Sequence, residues 1–134
     1  MKDKYILTAE SVTAGHPDKL CDTIADSVLD ACLKEDPNAR VACEVLATAG
    51  KILVAGELRT TANPNVEAIV RQVVQNAGYD CNYNVEVRLH TQSPDIAGAV
   101  DGDTLGAGDQ GIMYGYACWE TVELLPAPVV LANR

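Results

Sequence analysis

No stretch of eighteen consecutive apolar residues occurs in this 134-residue sequence, which excludes a membrane-spanning helix. The opening Met1-Lys2-Asp3-Lys4-Tyr5 has an acid inside its charged stretch and no long apolar segment after it, so no export signal is expected and a cytoplasmic location is. Basic residues are scarce: ten Lys and Arg stand against nineteen Asp and Glu, a formal net charge of -9. Nowhere do they cluster, and without a basic face a phosphate backbone cannot be neutralised, so nucleic-acid binding is excluded. An acid excess suits cations instead. The five cysteines (Cys21, Cys32, Cys43, Cys81, Cys118) include no C-x-x-C pair and are odd in number, which fits reduced core thiols. Cys21 and Cys32 are eleven residues apart and would share one helical stripe. Internal repeats and low-complexity segments are likewise missing.

What is present is the composition of an ordinary soluble globular domain, 48% hydrophobic and 22% charged, at a length that buries a core without staples. Tyr5-Ile6-Leu7-Thr8 reads as a short strand and Ser11 to Gly15 as a loop. Pro17 opens a helix in which Leu20, Cys21, Ile24, Ala25, Val28, Leu29 and Cys32 recur at spacings of three and four up to Asp36-Pro37. Arg40 to Thr48 and Lys51 to Thr60 flank Ala49-Gly50, which predicts an antiparallel hairpin with Thr48 facing Lys51, Glu44 facing Ala55 and Glu57 facing Ala42. A second helix starts at Asn63-Pro64 and stops at Gly78. Asn84 to Gln92 alternates as a half-buried strand, Ile112 to Cys118 is strand-like, and Pro126 and Pro128 lead into the apolar Val129-Val130-Leu131. The order predicts an α+β fold, a mixed or antiparallel sheet with helices on one face.

Three places invite chemistry. His16-Pro17-Asp18 lies where a loop enters a helix, whose unpaired N–H groups and dipole attract anions. There a histidine can bond a phosphate or leaving oxygen and Asp18 can hold a hard cation, or the three are simply a surface histidine, a first-turn proline and a dipole-complementing acid. Glu44 and Glu57, mid-strand carboxylates, lie about 7 to 8 Å apart as diagonal neighbours if the turn has two residues. Buried, they need a cation or an ammonium; on a wet sheet face they need nothing. Gly106-Ala107-Gly108-Asp109-Gln110-Gly111 matches G-x-G-x-x-G in letters only: no strand precedes it, no helix follows, and Asp109 would repel a pyrophosphate. A glycine-rich lid or a plain loop fits the long aperiodic stretch better. Gln92, at the mouth of that stretch beside Ser93-Pro94-Asp95, is better placed for a ligand than His90 on the same face.

Four collinear motifs resemble the methionine adenosyltransferase family: Glu10 to Lys19, Asp36 to Glu44, Gln92 to Ile96, and Gly106 to Gly111 followed by Met113-Tyr114-Gly115-Tyr116-Ala117. The resemblance implies formation of S-adenosylmethionine from ATP and L-methionine, with cleavage of the triphosphate to pyrophosphate and phosphate and dependence on Mg²⁺ and K⁺. It implies that His16 is catalytic at the reacting end of ATP, that Lys19 also binds ATP, that Asp18 binds Mg²⁺ and that Glu44 lies at the K⁺ site. Glu57, Gln92 and Asp109 would bind methionine, Glu57 through its ammonium, and the segment of about 92–111 would be a gating loop.

Family members are about three times this long, have three similar α+β domains and place active sites at a dimer interface. Residues 1–134 are therefore expected to form one N-terminal region whose segment 112–134 packs with a partner chain. The expectation is a subunit of a split enzyme, its partner supplying the C-terminal two-thirds, or self-association; an inactive truncation or a non-catalytic regulatory module is the rival. Charge points the same way, since a triphosphate carries about four negative charges and needs several preorganised cations, where this chain offers His16 and Lys19. The connection from Gly78 to Val85 is shorter than the usual family form, and Asn133 stands where a histidine is common.

Overall fold

The computed structural model describes residues 6–80, 82–91 and 110–134, and the chain divides into two compact units, Thr13–Gly108 and Met1–Val12 with Asp109–Arg134. The larger unit begins with helix α1 (Pro17–Glu35), followed by strands β1 (Arg40–Thr48) and β2 (Lys51–Arg59), helix α2 (Val66–Asn76) and strand β3 (Asn84–Thr91).

Helix α1 starts where proline removes an N–H that would be unpaired anyway, and it buries Leu20, Ile24, Val28 and Cys32 in one stripe. Each such aliphatic side chain contributes about 1.5 to 3 kcal/mol. Asp36 ends the helix with its N–H on the Cys32 carbonyl. Its carboxylate turns back to accept the N–H of Asn38 at 3.0 Å, the Thr60 hydroxyl at 3.0 Å and the Thr61 N–H at 2.8 Å, tying the helix end to the end of β2. Those donors, the Thr61 N–H first, hold the Asp36 carboxyl below its ordinary range.

The hairpin has the expected register: Thr48 faces Lys51, Glu44 faces Ala55 and Glu57 faces Ala42. Strand β3 joins on the other side of β2 in parallel, Ile52 beside Val85 and Glu57 beside His90, giving a mixed sheet in the order β1-β2-β3. A parallel neighbour requires a crossover, and α2 provides it. The inner face carries Val41, Cys43, Val45, Ala47, Ile52, Val54, Val85 and Leu89, packed with the stripes of α1 and α2, Val66, Val70, Val73 and Val74 among them. Burial raises the thiols of Cys21, Cys32 and Cys43; Cys32 lies in the core and Cys43 packs against it, while Cys21 is half-buried outside it.

The sequence reading is corrected at four places. Helix α2 takes Asn65 as its N-cap, with the side-chain oxygen on the Ala68 N–H at 3.0 Å, two residues beyond Asn63. Residues 6–8 form no strand, and Ile6 is exposed. Ile112 to Cys118 is also without strand pairing and largely exposed, for a strand needs a neighbour and none of the described residues supplies one. Ala127–Asn133, in the smaller unit, is a short helix, α3, with Pro126 at its N-cap and the Glu120 carboxylate accepting the Ala127 N–H at 2.9 Å. Of the two prolines, Pro126 is the cap and Pro128 a first-turn residue. In the same unit Asn133 accepts the Ser11 hydroxyl at 2.8 Å.

Candidate functional site

His16 is the N-cap of α1, in extended conformation, with its own N–H on the Thr13 carbonyl at 3.0 Å and its carbonyl taking the Leu20 N–H at 2.8 Å. Its side chain does the capping: Nδ1 accepts the Asp18 N–H at 3.2 Å. A ring that accepts at Nδ1 carries its proton on Nε2 when neutral, so the free nitrogen is a donor. Half-buried at the positive end of a nineteen-residue helix, that donor is suited to an anionic oxygen. Asp18 and Lys19 follow in the same turn, both exposed. One turn thus assembles three of the expected residues: a proton-bearing imidazole, a carboxylate and an ammonium.

Glu44 and Glu57 lie on the opposite, outer face of the sheet, as the diagonal pair that the register requires. Glu44 is exposed and Glu57 half-buried, flanked in register by Ala42 and His90. The described ion pairs of this face gather on Glu86, which Lys51 approaches at 2.6 Å and Arg88 at 2.9 Å, so its carboxyl is held low, mainly by the Lys51 hydrogen bond. Glu44 and Glu57 are in neither pair. The two groups of site residues are therefore separate: α1 covers the inner face, with Gly15 and Pro17 beside the hairpin turn, while Glu57 stands six residues up β2 from that turn, roughly 20 Å along the strand. Gln92, Asp109 and positions 92–109 of the expected gating loop lie outside the described residues.

No group of three or more His, Cys, Asp or Glu capable of caging a metal occurs among the described residues. Mg²⁺ is commonly held by one or two carboxylates with the rest of its shell from water and substrate phosphates, so Asp18, beside an anion-attracting helix end, fits as one such ligand. Glu44 alone is a single ligand and does not make a K⁺ site.

What sequence reasoning missed is the tyrosine beside this turn. Tyr79 donates its hydroxyl to the Gly15 carbonyl at 3.0 Å and, with Gly15, Pro17, Ala47, Thr48 and Tyr83, lines a concavity of about 410 Å³ next to His16. The only sequence signal is a Gly-Tyr pair at the end of α2; the contact joins residues 64 apart.

The fold and the site together define an α+β domain with an anion-directed helix terminus on one layer and a carboxylate-bearing sheet face on the other. Two family models match this chain: S-adenosylmethionine synthetase, N-terminal domain, over residues 4–102, and S-adenosylmethionine synthetase, central domain, over residues 104–134. The chain belongs to the S-adenosylmethionine synthetase family. It is 48% identical over 149 aligned positions to an S-adenosylmethionine synthase of Prochlorococcus marinus (strain NATL2A), covering 98% of this chain and 36% of that protein. A Synechococcus sp. (strain RCC307) synthase is 50% identical, with 98% of this chain and 37% of its own length covered. One from Sulfurovum sp. (strain NBC37-1) is 49% identical over 100% of this chain and 37% of its own. The chain thus spans little more than a third of the curated relatives it matches. Among the described residues, no helix is long and apolar enough to cross a membrane.

Proposed function

We propose that this chain supplies the N-terminal share of an active site that forms S-adenosylmethionine from ATP and L-methionine, releasing phosphate and pyrophosphate. The observation that carries the reading is the Nδ1 bond of His16 to the Asp18 N–H, which turns an Nε2–H donor outward at a helix N-terminus. As methionine sulfur attacks the ribose C5′ carbon and the C–O bond to the triphosphate breaks, charge gathers on the leaving oxygens. A preorganised donor there stabilises the transition state more than the ground state. Lys19 adds a positive charge to the same ATP end, and Asp18 is the Mg²⁺ ligand. Mg²⁺ would supply charge neutralisation to the phosphates. Glu57 holds the methionine ammonium, with Gln92 and Asp109 on the same substrate, and Glu44 contributes one oxygen toward K⁺; the segment 92–111 is the gate.

The separation of His16 from Glu57 supports a site completed by other polypeptide, since one copy of this unit does not set its ATP end beside its methionine end. We assign the missing cations to the remaining two-thirds of the family length, carried by a second polypeptide as in a split enzyme. The test is to combine this chain with a polypeptide carrying that remainder and assay S-adenosylmethionine. Formation that vanishes with His16→Ala supports the reading, and an assembly that forms none, or is indifferent to His16, removes it.

A further inference from the structure

We infer that Tyr79 is a positioning residue for His16, a clamp through which the end of α2 sets the loop that carries the imidazole. The tyrosine is itself fixed. Gly78 has φ +89 and leaves α2 in the left-handed conformation, its N–H on the Gln75 carbonyl at 2.9 Å, and the Tyr79 N–H returns to the Val74 carbonyl at 3.2 Å. These are the two bonds of a Schellman motif, so the position of Tyr79 follows from the helix end and not from a floppy loop. Val74, which accepts the second bond, is a core residue.

From that anchor the side chain reaches residue 15. The hydroxyl donates to the Gly15 carbonyl, and the ring lies so close to the Gly15 α-carbon that a Cβ there would meet the hydroxyl oxygen at 2.7 Å and Cε2 at 2.9 Å. The Gly15 carbonyl belongs to the peptide that joins it to His16, and that peptide's N–H is held at its other side by Thr13. Both polar groups of one planar unit are therefore bonded, and the orientation of the His16 backbone is set before its ring makes the Asp18 bond. Tyr79 is 44% exposed, which is more than a residue kept for core packing shows. The inference rests on the reading of His16 as the donor to the leaving group, and it adds the residue that holds that donor.

The experiment has arms that separate the two. In the 134-residue chain, Tyr79→Phe keeps the ring and deletes the hydroxyl. Amide exchange at Gly15, His16 and Asp18 should accelerate roughly three- to tenfold, the scale of one lost net hydrogen bond, while Val70 and Val74 keep their rates. The ¹⁵N signals of the His16 ring should move from the pure Nε2–H form toward a mixture of tautomers. Gly15→Ala, which drives the intact tyrosine away, should give the same pattern. In the S-adenosylmethionine-forming assembly containing this chain, Tyr79→Phe should lower kcat roughly three- to tenfold on the same reasoning, with the methionine KM unchanged. If His16→Ala leaves activity whole, the functional reading fails while the exchange arm still decides the clamp. Wild-type exchange around His16 in Tyr79→Phe, acceleration shared equally by Val70 and Val74, or a loosened loop with unaltered kcat each overturns the inference.

Discussion

Gly56 faces Cys43 across the hairpin with φ +139, and a Cβ there would stand on the Ala42 carbonyl oxygen. Gly56→Ala is expected to cost about 3 kcal/mol or more, since backbone strain and overpacking each contribute about 1 to 3. A urea midpoint equal to wild type would contradict it. The neighbouring residue tests chemistry instead of folding. Glu57→Gln keeps the shape and removes the charge, so methionine KM in the assembled enzyme should rise by the equivalent of about 1.5 to 3 kcal/mol, roughly ten- to a hundredfold. The stability of the chain should stay within about 0.5 kcal/mol, because Glu57 is outside the buried core. An unchanged KM takes Glu57 out of the site. At this scale the sequence was informative where chemistry is local. The first-turn proline of His16-Pro17-Asp18 announces a helix start, and the structure adds that His16 is the cap and that Nδ1 does the capping. Tyr79 was illegible because its importance is a contact with Gly15, and no local pattern encodes a hydrogen bond across 64 residues.

Among the elements, the end of α1 depends on ionisation. Asp36 joins helix to strand only as a carboxylate, with one oxygen on Asn38 and the other on Thr60 and Thr61. Its folded pKa is depressed, so its stabilisation is complete above the unfolded value of about 3.9 and fades as pH falls through the lower folded value. Glu86, also depressed, behaves in the same sense. Asp36→Asn presents an amide where two oxygens are needed. The variant should be less stable than wild type at pH 7, and the gap should narrow as pH drops below about 4. Thermal midpoints of both proteins across that range check it; a gap constant with pH would mean the charge is irrelevant. Helix α1 and the hairpin register were legible because capping, a period of 3.6 and a two-residue turn all act within a few residues. The parallel placement of β3 was not, since alternation tells which residues face inward and nothing about strand direction. Helix α3 was not legible for a different reason: Val129-Val130-Leu131 is equally at home in strand or helix, and its two prolines mark a helix start only once the cap is seen.

For the whole molecule the decisive quantities are charge and uncovered apolar surface. In the proposed reaction a triphosphate leaving group of about four negative charges would have to be stabilised with a chain whose net charge is -9 and whose proposed groups for it are Lys19 and His16. The chain alone is therefore expected to form no S-adenosylmethionine above background. Its surface argues for company as well. Leu46 on the outer sheet face is 62% exposed, and in the smaller unit Trp119 and Val122 are each 93% exposed, with Met113 and Tyr114 nearly bare. Singly such residues are ordinary, but aromatic and aliphatic side chains repeated along one segment that none of the described elements covers mark an association surface. Light scattering behind size exclusion should give a mass above the 14.2 kDa of one chain, falling toward it as the protein is diluted. Adding a polypeptide with the rest of the family length should replace that self-association with a defined complex and bring activity with it. A chain that stays monomeric at high concentration speaks against the association surface, and one that makes S-adenosylmethionine alone removes the need for cations from elsewhere.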